Sequence, residues 1–222
     1  MMDRSFITND HMTLSETLKK ISNVVSKCYF LVGYFYFSGF SEIYKEFKDK
    51  DIKILVGLEI EKGIDNLYKE VYNIFQQNEK SKYSVKEKFL DGLKEFISNT
   101  NFYDSSNEQE AFNVFVEKIK NGTLEIRKTR KPTHSKVYIF ESKDEEKEIN
   151  PGYVIIGSSN LTFKGLSSQN EINVILRDPH HYKEAKEIFE QLWEDSVEIV
   201  SKDTFGEFEE KVIKKTFLGV IP

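Results

Sequence analysis

The sequence predicts one α/β domain, a mixed β-sheet flanked by helices on both faces. Three observations predict it. Compact apolar runs of strand length alternate with stripes of helical period almost from end to end. The chain has 222 residues, enough for one sizeable core. Its composition is 39% hydrophobic and 14% aromatic, with 18 Phe and 11 Tyr, so there is ample material to fill that core.

The elements follow in order. Thr13 with Glu16 reads as a capping box, and Leu14, Leu18, Ile21 and Val25 continue it as one helical stripe. Cys28–Phe35 is a compact aromatic run, read as a buried strand. Ser41–Lys50 reads as a helix and Ile52–Gly57 as a second buried strand. Two or three amphipathic helices come next, with stripes at Val85, Phe89, Leu93, Phe96 and Ile97 and at Phe112, Phe115 and Ile119. Four short strands occupy the following fifty or so residues: Leu124–Lys128, Lys136–Phe140, Tyr153–Ile156 and Ile172–Leu176, with a charged turn at Ser142–Asn150. Asp178-Pro179 is a helix start, an N-cap followed by proline at the first helical position. Ala185, Ile188, Phe189, Leu192 and Trp193 then give a core-facing stripe, and Phe205–Phe217 reads as a last helix. The apolar ending Phe217–Pro222 reads as a cut through a longer protein.

Charge and cysteine content exclude several classes. There are 32 basic and 37 acidic residues, a net charge of −5, which at first speaks against a polyanionic partner. Cys28 is the only cysteine, so neither an internal disulfide framework nor a zinc site built from several thiolates is available. The N-terminus has no apolar leader, no run approaches a membrane span, and no Walker A pattern is present. These features predict a soluble, cytoplasmic protein with no membrane partner.

The chemistry concentrates in three segments: His134-Ser-Lys136, then Gly157-Ser158-Ser-Asn160 directly after an apolar strand, then Glu171 in Gln-Asn-Glu-Ile-Asn. In a strand, His134 and Lys136 share a face, which sets a nucleophile beside a fixed positive charge. The hydroxyl, amide and backbone N–H groups of the second segment can converge on an anion. With a carboxylate from Glu171, this set suits attack on a phosphodiester without a metal.

Here the chain resembles the phospholipase D superfamily, whose signature is His-x-Lys followed by Gly-Ser-x-Asn. His134, Lys136, Gly157, Ser158 and Asn160 match it, and Glu171 stands where nuclease members carry a glutamate paired with the histidine. Gly33–Phe40 and Ile156–Gly165 look like the subgroup found in restriction nucleases and at the N-terminus of some DNA helicases. The family's usual Asp is replaced by Glu141, and Ser142–Pro151 is inserted; both fall in a turn, where little harm to the chemistry is expected.

The resemblance implies a phospholipase D-like nuclease domain over residues 1–200, with a C-terminal helix at 201–222 leading into a further domain. It also implies a metal-independent, cofactor-free DNA endonuclease working through a phosphohistidine. Because the family builds each site from two such motifs and this chain has one, a homodimer is expected. His134, Lys136, Ser158, Asn160 and Glu171 are the expected catalytic set. Arg127, Arg130, Lys131, Tyr36 and Ser38 are expected to bind substrate. Residues Thr123–Phe140 carry +4 and the remainder −9, so the acidic average conceals a basic window around the motif. RNA is not excluded as substrate. Two further readings stay open: a DNA-binding or dimerisation module of a larger helicase or restriction protein, and a phospholipase or phosphatidyl transferase.

Overall fold

The structure is a computed structural model and describes residues 4–8, 10–60, 80–99 and 105–214. Its centre is an eight-stranded mixed sheet, in the order β1-β7-β6-β5-β2-β3-β4-β8. The strands are β1 (Phe6–Thr8), β2 (Val25–Phe35), β3 (Asp51–Ile60), β4 (Leu124–Thr129), β5 (Val137–Ser142), β6 (Gly152–Gly157), β7 (Ile172–Leu176) and β8 (Ser196–Val200). β2, β3 and β4 run parallel to one another, and every other pairing is antiparallel.

Helices cover both faces, as expected. On one side α1 (Leu14–Ile21), α2 (Phe37–Phe47), α3 (Lys80–Asn99) and α4 (Ser106–Asn121) close the larger core. Phe89, Leu93 and Ile97 of α3 and Phe112, Phe115 and Ile119 of α4 are buried there, as their spacing predicts. The side chain of Phe96 lies outside the described residues. On the other side α5 (Pro179–Glu194) sets Phe189 and Trp193 against Tyr29, Leu31, Leu55, Ile139 and Val154.

The caps that set these helices are local. Thr13 Oγ1 accepts from Glu16 N at 3.2 Å while Glu16 Oε2 accepts from Thr13 N at 2.8 Å, a reciprocal capping box. Asp178 Oδ1 accepts from His180 N at 2.7 Å, ahead of Pro179 in the first turn of α5.

Several expectations are corrected. Val25 opens β2 and does not continue the α1 stripe. α2 starts at Phe37, four residues before the expected start, because Tyr36 leaves the sheet directly into the helix. The expected last helix is one turn, Phe205–Phe208, followed by a wider turn at Glu209–Lys214; residues 215–217 lie outside the described residues. Two edge strands, β1 and β8, have no counterpart in the expected elements. Both are short, and tertiary pairing with β7 and β4 holds them rather than any strong local pattern. Among the described residues no helix is long and apolar enough to cross a membrane.

Candidate active site

The register brings four strand ends to one end of the sheet. β2 finishes there. β5 starts there, with Val137 opposite Leu31. β6 finishes opposite that start, with Ile156 facing Val137, and β7 begins beside Gly157. His134, Lys136, Ser158, Asn160 and Glu171 all sit at these ends, although the sequence separates the first from the last by a 36-residue stretch containing two strands and a wide turn.

His134 and Lys136 precede β5 rather than lying within it, so strand alternation does not place them. Two other contacts do. Lys136 Nζ donates to the His134 carbonyl at 2.8 Å, and the Lys136 carbonyl accepts from Gly157 N at 3.3 Å, which extends the β5–β6 ladder by one residue. The preceding turn is fastened by Thr133, whose N–H donates to the Gly57 carbonyl at 3.3 Å and whose hydroxyl shares a 2.8 Å hydrogen bond with that of Ser135.

The His134 ring is exposed at the mouth of the site and meets Tyr34 edge-on, with centroids 6.0 Å apart. Partial burial, and then the neighbouring Lys136 charge, lower its pKa from 6.5. Burial also lowers the Lys136 pKa, opposed by the negative charge of Glu171.

The Gly157–Asn160 turn is pinned from below. Tyr138 Oη donates to the Ser159 carbonyl at 3.0 Å. Buried Asn173 donates through Nδ2 to Ser159 Oγ at 2.9 Å and accepts the Ser159 N–H at 3.4 Å. Asn160 Oδ1 accepts from Tyr34 N at 3.0 Å, which ties its acceptor to β2. Ser158 Oγ donates to Glu171 Oε2 and accepts from Ile172 N at 3.1 Å. Glu171 therefore holds Ser158. Among the described residues the His134 ring has no carboxylate partner, and the expected Glu171–His134 pairing is not formed within one chain.

Gly33 is the residue that sequence reasoning undervalued. A Cβ placed there would stand 2.9 Å from His134 Cδ2 and 3.2 Å from Asn160 Oδ1. Only a glycine lets the histidine and the asparagine close on the same point of β2. The strand also changes face here. Cys28, Phe30 and Val32 point into the larger core, and then Phe35 does, so the alternation breaks at Gly33–Tyr34. A glycine inside an otherwise aromatic strand is the signal that could have found it. Asn173, a polar residue inside an apolar strand, is the corresponding signal on β7.

The expected substrate-binding residues divide. Tyr36 and Ser38 adjoin the site: Tyr36 N donates to the Leu161 carbonyl at 3.1 Å, its ring lies 6.4 Å from that of Tyr34, and Ser38 Oγ accepts from Phe163 N at 3.4 Å. Arg130 and Lys131 follow β4 at the same end of the sheet; Arg130 pairs with Asp195 at 3.1 Å, and Lys131 is exposed. Arg127 does not join them. It lies within β4, bonded through Nε to Glu125 Oε1 at 2.6 Å and stacked 4.8 Å from the Trp193 ring. Lys128 is buried on the carbonyls of Gly57 and Leu58. Much of the basic window thus serves the fold. Glu141 sits at the far end of β5 from His134, accepting from Tyr29 Oη and pairing with Lys147 of the insertion at 3.0 Å, away from the chemistry.

A sequence model of the family described as cardiolipin synthase, PLD-like domain matches residues 18–193. The chain belongs to the phospholipase D family. Members of this superfamily cleave or transfer phosphodiesters. No curated protein matches the chain. Among solved structures it is similar to the phospholipase D family member Nuc from Salmonella typhimurium, at 15% identity and TM-score 0.42, over 82% of this chain and 86% of that one. NucT from Helicobacter pylori aligns at 13% identity and TM-score 0.45, over 87% and 97% respectively. Phosphatidylserine synthase from Haemophilus influenzae Rd KW20 aligns at 14% and 0.46, over 89% of this chain and 39% of that one. The phospholipase D signature residues of this chain are the ones its sheet end collects.

Proposed function

We propose that this phospholipase D-family chain is a DNA-processing nuclease that cleaves phosphodiesters through a phosphohistidine in a homodimeric site. The observation that carries the reading is the convergence of an exposed His134, its pKa lowered by partial burial and by Lys136, with Lys136 and the Ser158–Asn160 turn. A neutral imidazole offers its lone pair to phosphorus, while the ammonium and the Asn160 amide hold the charge that develops on the non-bridging oxygens.

In the first step a ring nitrogen of His134 bonds to phosphorus, the bond to the leaving oxygen breaks, and the partner subunit's His134, protonated, gives that oxygen a proton. In the second step the same partner ring, now neutral, takes a proton from water. The water oxygen bonds to phosphorus, and the phosphorus–nitrogen bond breaks. Ser158, held by Glu171, presents its side of the turn to the phosphoryl group. Arg130 and Lys131 suit backbone-phosphate contacts beside the site.

The test is plasmid nicking. His134→Ala is expected to abolish cleavage with secondary structure and melting unchanged, and EDTA is expected to leave the wild-type rate intact. Residual turnover in His134→Ala, or a strict divalent-ion requirement, would sink the mechanism. Hydrolysis of phospholipid vesicles without plasmid nicking would assign the site to lipid instead.

A further inference from the structure

Three residues after Asn160 the chain turns an aromatic ring into solvent. Phe163 is 48% exposed, while Leu161, Thr162, Gly165 and Leu166 on either side of it are buried. The backbone that carries the ring is fixed from several directions. Leu161 forms a parallel bridge with Phe35, and its carbonyl accepts from Tyr36 N at 3.1 Å. Phe163 N donates to Ser38 Oγ at 3.4 Å. The Thr162 carbonyl accepts from Leu166 N at 2.9 Å, and its hydroxyl accepts from Gly165 N at 3.0 Å. A Cβ at Gly165 would stand 2.5 Å from the Asn160 carbonyl oxygen, so the wide turn Lys164–Ser168 packs directly on that residue. One exposed apolar side chain is ordinary. What sets Phe163 apart is a rigid support shared with a residue of the candidate site.

We infer that the Phe163 ring stacks on a base beside the scissile phosphate, so that the substrate is single-stranded DNA; this rests on the nuclease reading above. Two features select an unpaired strand. The first is access. Three residues span at most about 11 Å, which keeps the ring within about three nucleotide steps of a phosphate at Asn160. In a duplex each base is covered on both faces, and a ring reaches one only after unstacking and unpairing. A single strand offers its base faces freely, whatever the sequence. Tyr36, half-buried, adjoins Tyr34, whose ring meets His134, so aromatic surface runs up to the attacking group. The second feature is charge. The chain carries −5, and Arg127 and Lys128 are held within the fold. Few cations remain to follow the phosphates of two strands, and stacking supplies affinity that charge does not.

Phe163→Ala and Phe163→Trp test this on three substrates of one sequence: a single-stranded oligodeoxynucleotide, its duplex, and a single strand with abasic sites around the cleaved linkage. The side chain is exposed, so native circular dichroism and melting are expected of both variants. In kcat/KM the wild type is expected to favour the single strand over the duplex by at least about 10-fold. Phe163→Ala is expected to lose about 5- to 150-fold on the single strand and nothing on the abasic one, and Phe163→Trp to keep the wild-type rate. A supercoiled plasmid, whose strands part locally, is expected to be nicked faster than a relaxed one. Equal cleavage of strand and duplex by the wild type overturns the single-strand assignment, and an equal loss with and without bases overturns the stacking. Neither result touches the nuclease reading, which falls only if the wild type cleaves no DNA. A Phe163→Ala enzyme that cleaves normally but no longer binds anionic vesicles overturns the inference in favour of a lipid surface.

Discussion

At the scale of the residue, the site is a matter of close approach and charge. Gly33→Ala is expected to push the His134 ring aside, because the nearest obstacle at 2.9 Å is the edge of that ring. A misplacement of this size costs about 100-fold in rate. Melting should move little, since the ring is exposed and free to swing; a Gly33→Ala enzyme of normal kcat would show that His134 is placed by something else. The pH profile carries a second prediction. The mechanism needs one His134 neutral and its partner protonated, and both titrate below 6.5, so kcat/KM is expected to peak below that value and fall on either side. Lys136→Gln removes one of the two causes of the lowering, and the acid limb is expected to move up toward 6.5 while the overall rate drops. Burial, the larger cause, remains, so the limb should stop short of the ordinary value. A limb that stays in place would assign Lys136 to phosphate binding alone.

At the scale of the element, secondary structure is fastened by side chains reaching across the chain, also at the end of the sheet opposite the site. Lys118 near the end of α4 is the clearest case. Its buried ammonium donates to the carbonyls of Lys48 and Lys50 and to Thr123 Oγ1 at 3.4 Å, clamping the turn between α2 and β3 against the start of β4. Burial lowers its pKa to about 8. Lys118→Met fills the space but leaves those carbonyls without their donor, and a loss of about 1–3 kcal/mol is expected in denaturant unfolding. No change there would mean that water replaces the ammonium. The helices with full local signals, α1 with its capping box and α5 with Asp178-Pro179, were legible in the sequence. The start of α2 was not, because Tyr36 caps it without a side-chain hydrogen bond. Nor were β1 and β8, whose three and five residues pair only because β7 and β4 present open edges.

At the scale of the whole molecule, the question is how an acidic protein would hold the polyanion proposed as its substrate. Of the basic window, Arg127 and Lys128 are turned inward to Glu125, Trp193 and β3 carbonyls. That leaves Arg130, Lys131 and Lys136 per copy on the site side. About six phosphate contacts in a dimer, at about −0.9 each, predict a log–log salt dependence of DNA binding no steeper than about −5. A much steeper slope would mean that DNA contacts a second basic surface. Arg127→Ala is expected to act on stability through Trp193 rather than on this slope.

The sequence by itself determined the α/β class, the helix caps and the family signature, because each rests on local chemistry: an alternation of apolar runs, a cap three residues from its partner, a signature in two short segments. Only the tertiary structure decided what those residues do to one another. Strand register put Glu171 on Ser158 and not on His134, a face change at Gly33 made room for the ring, and pairing with Trp193 withdrew Arg127 from the mouth. Partners of this kind lie tens of residues apart along the chain. Their choice depends on which strand ends meet and in what register, and local pattern carries no record of that.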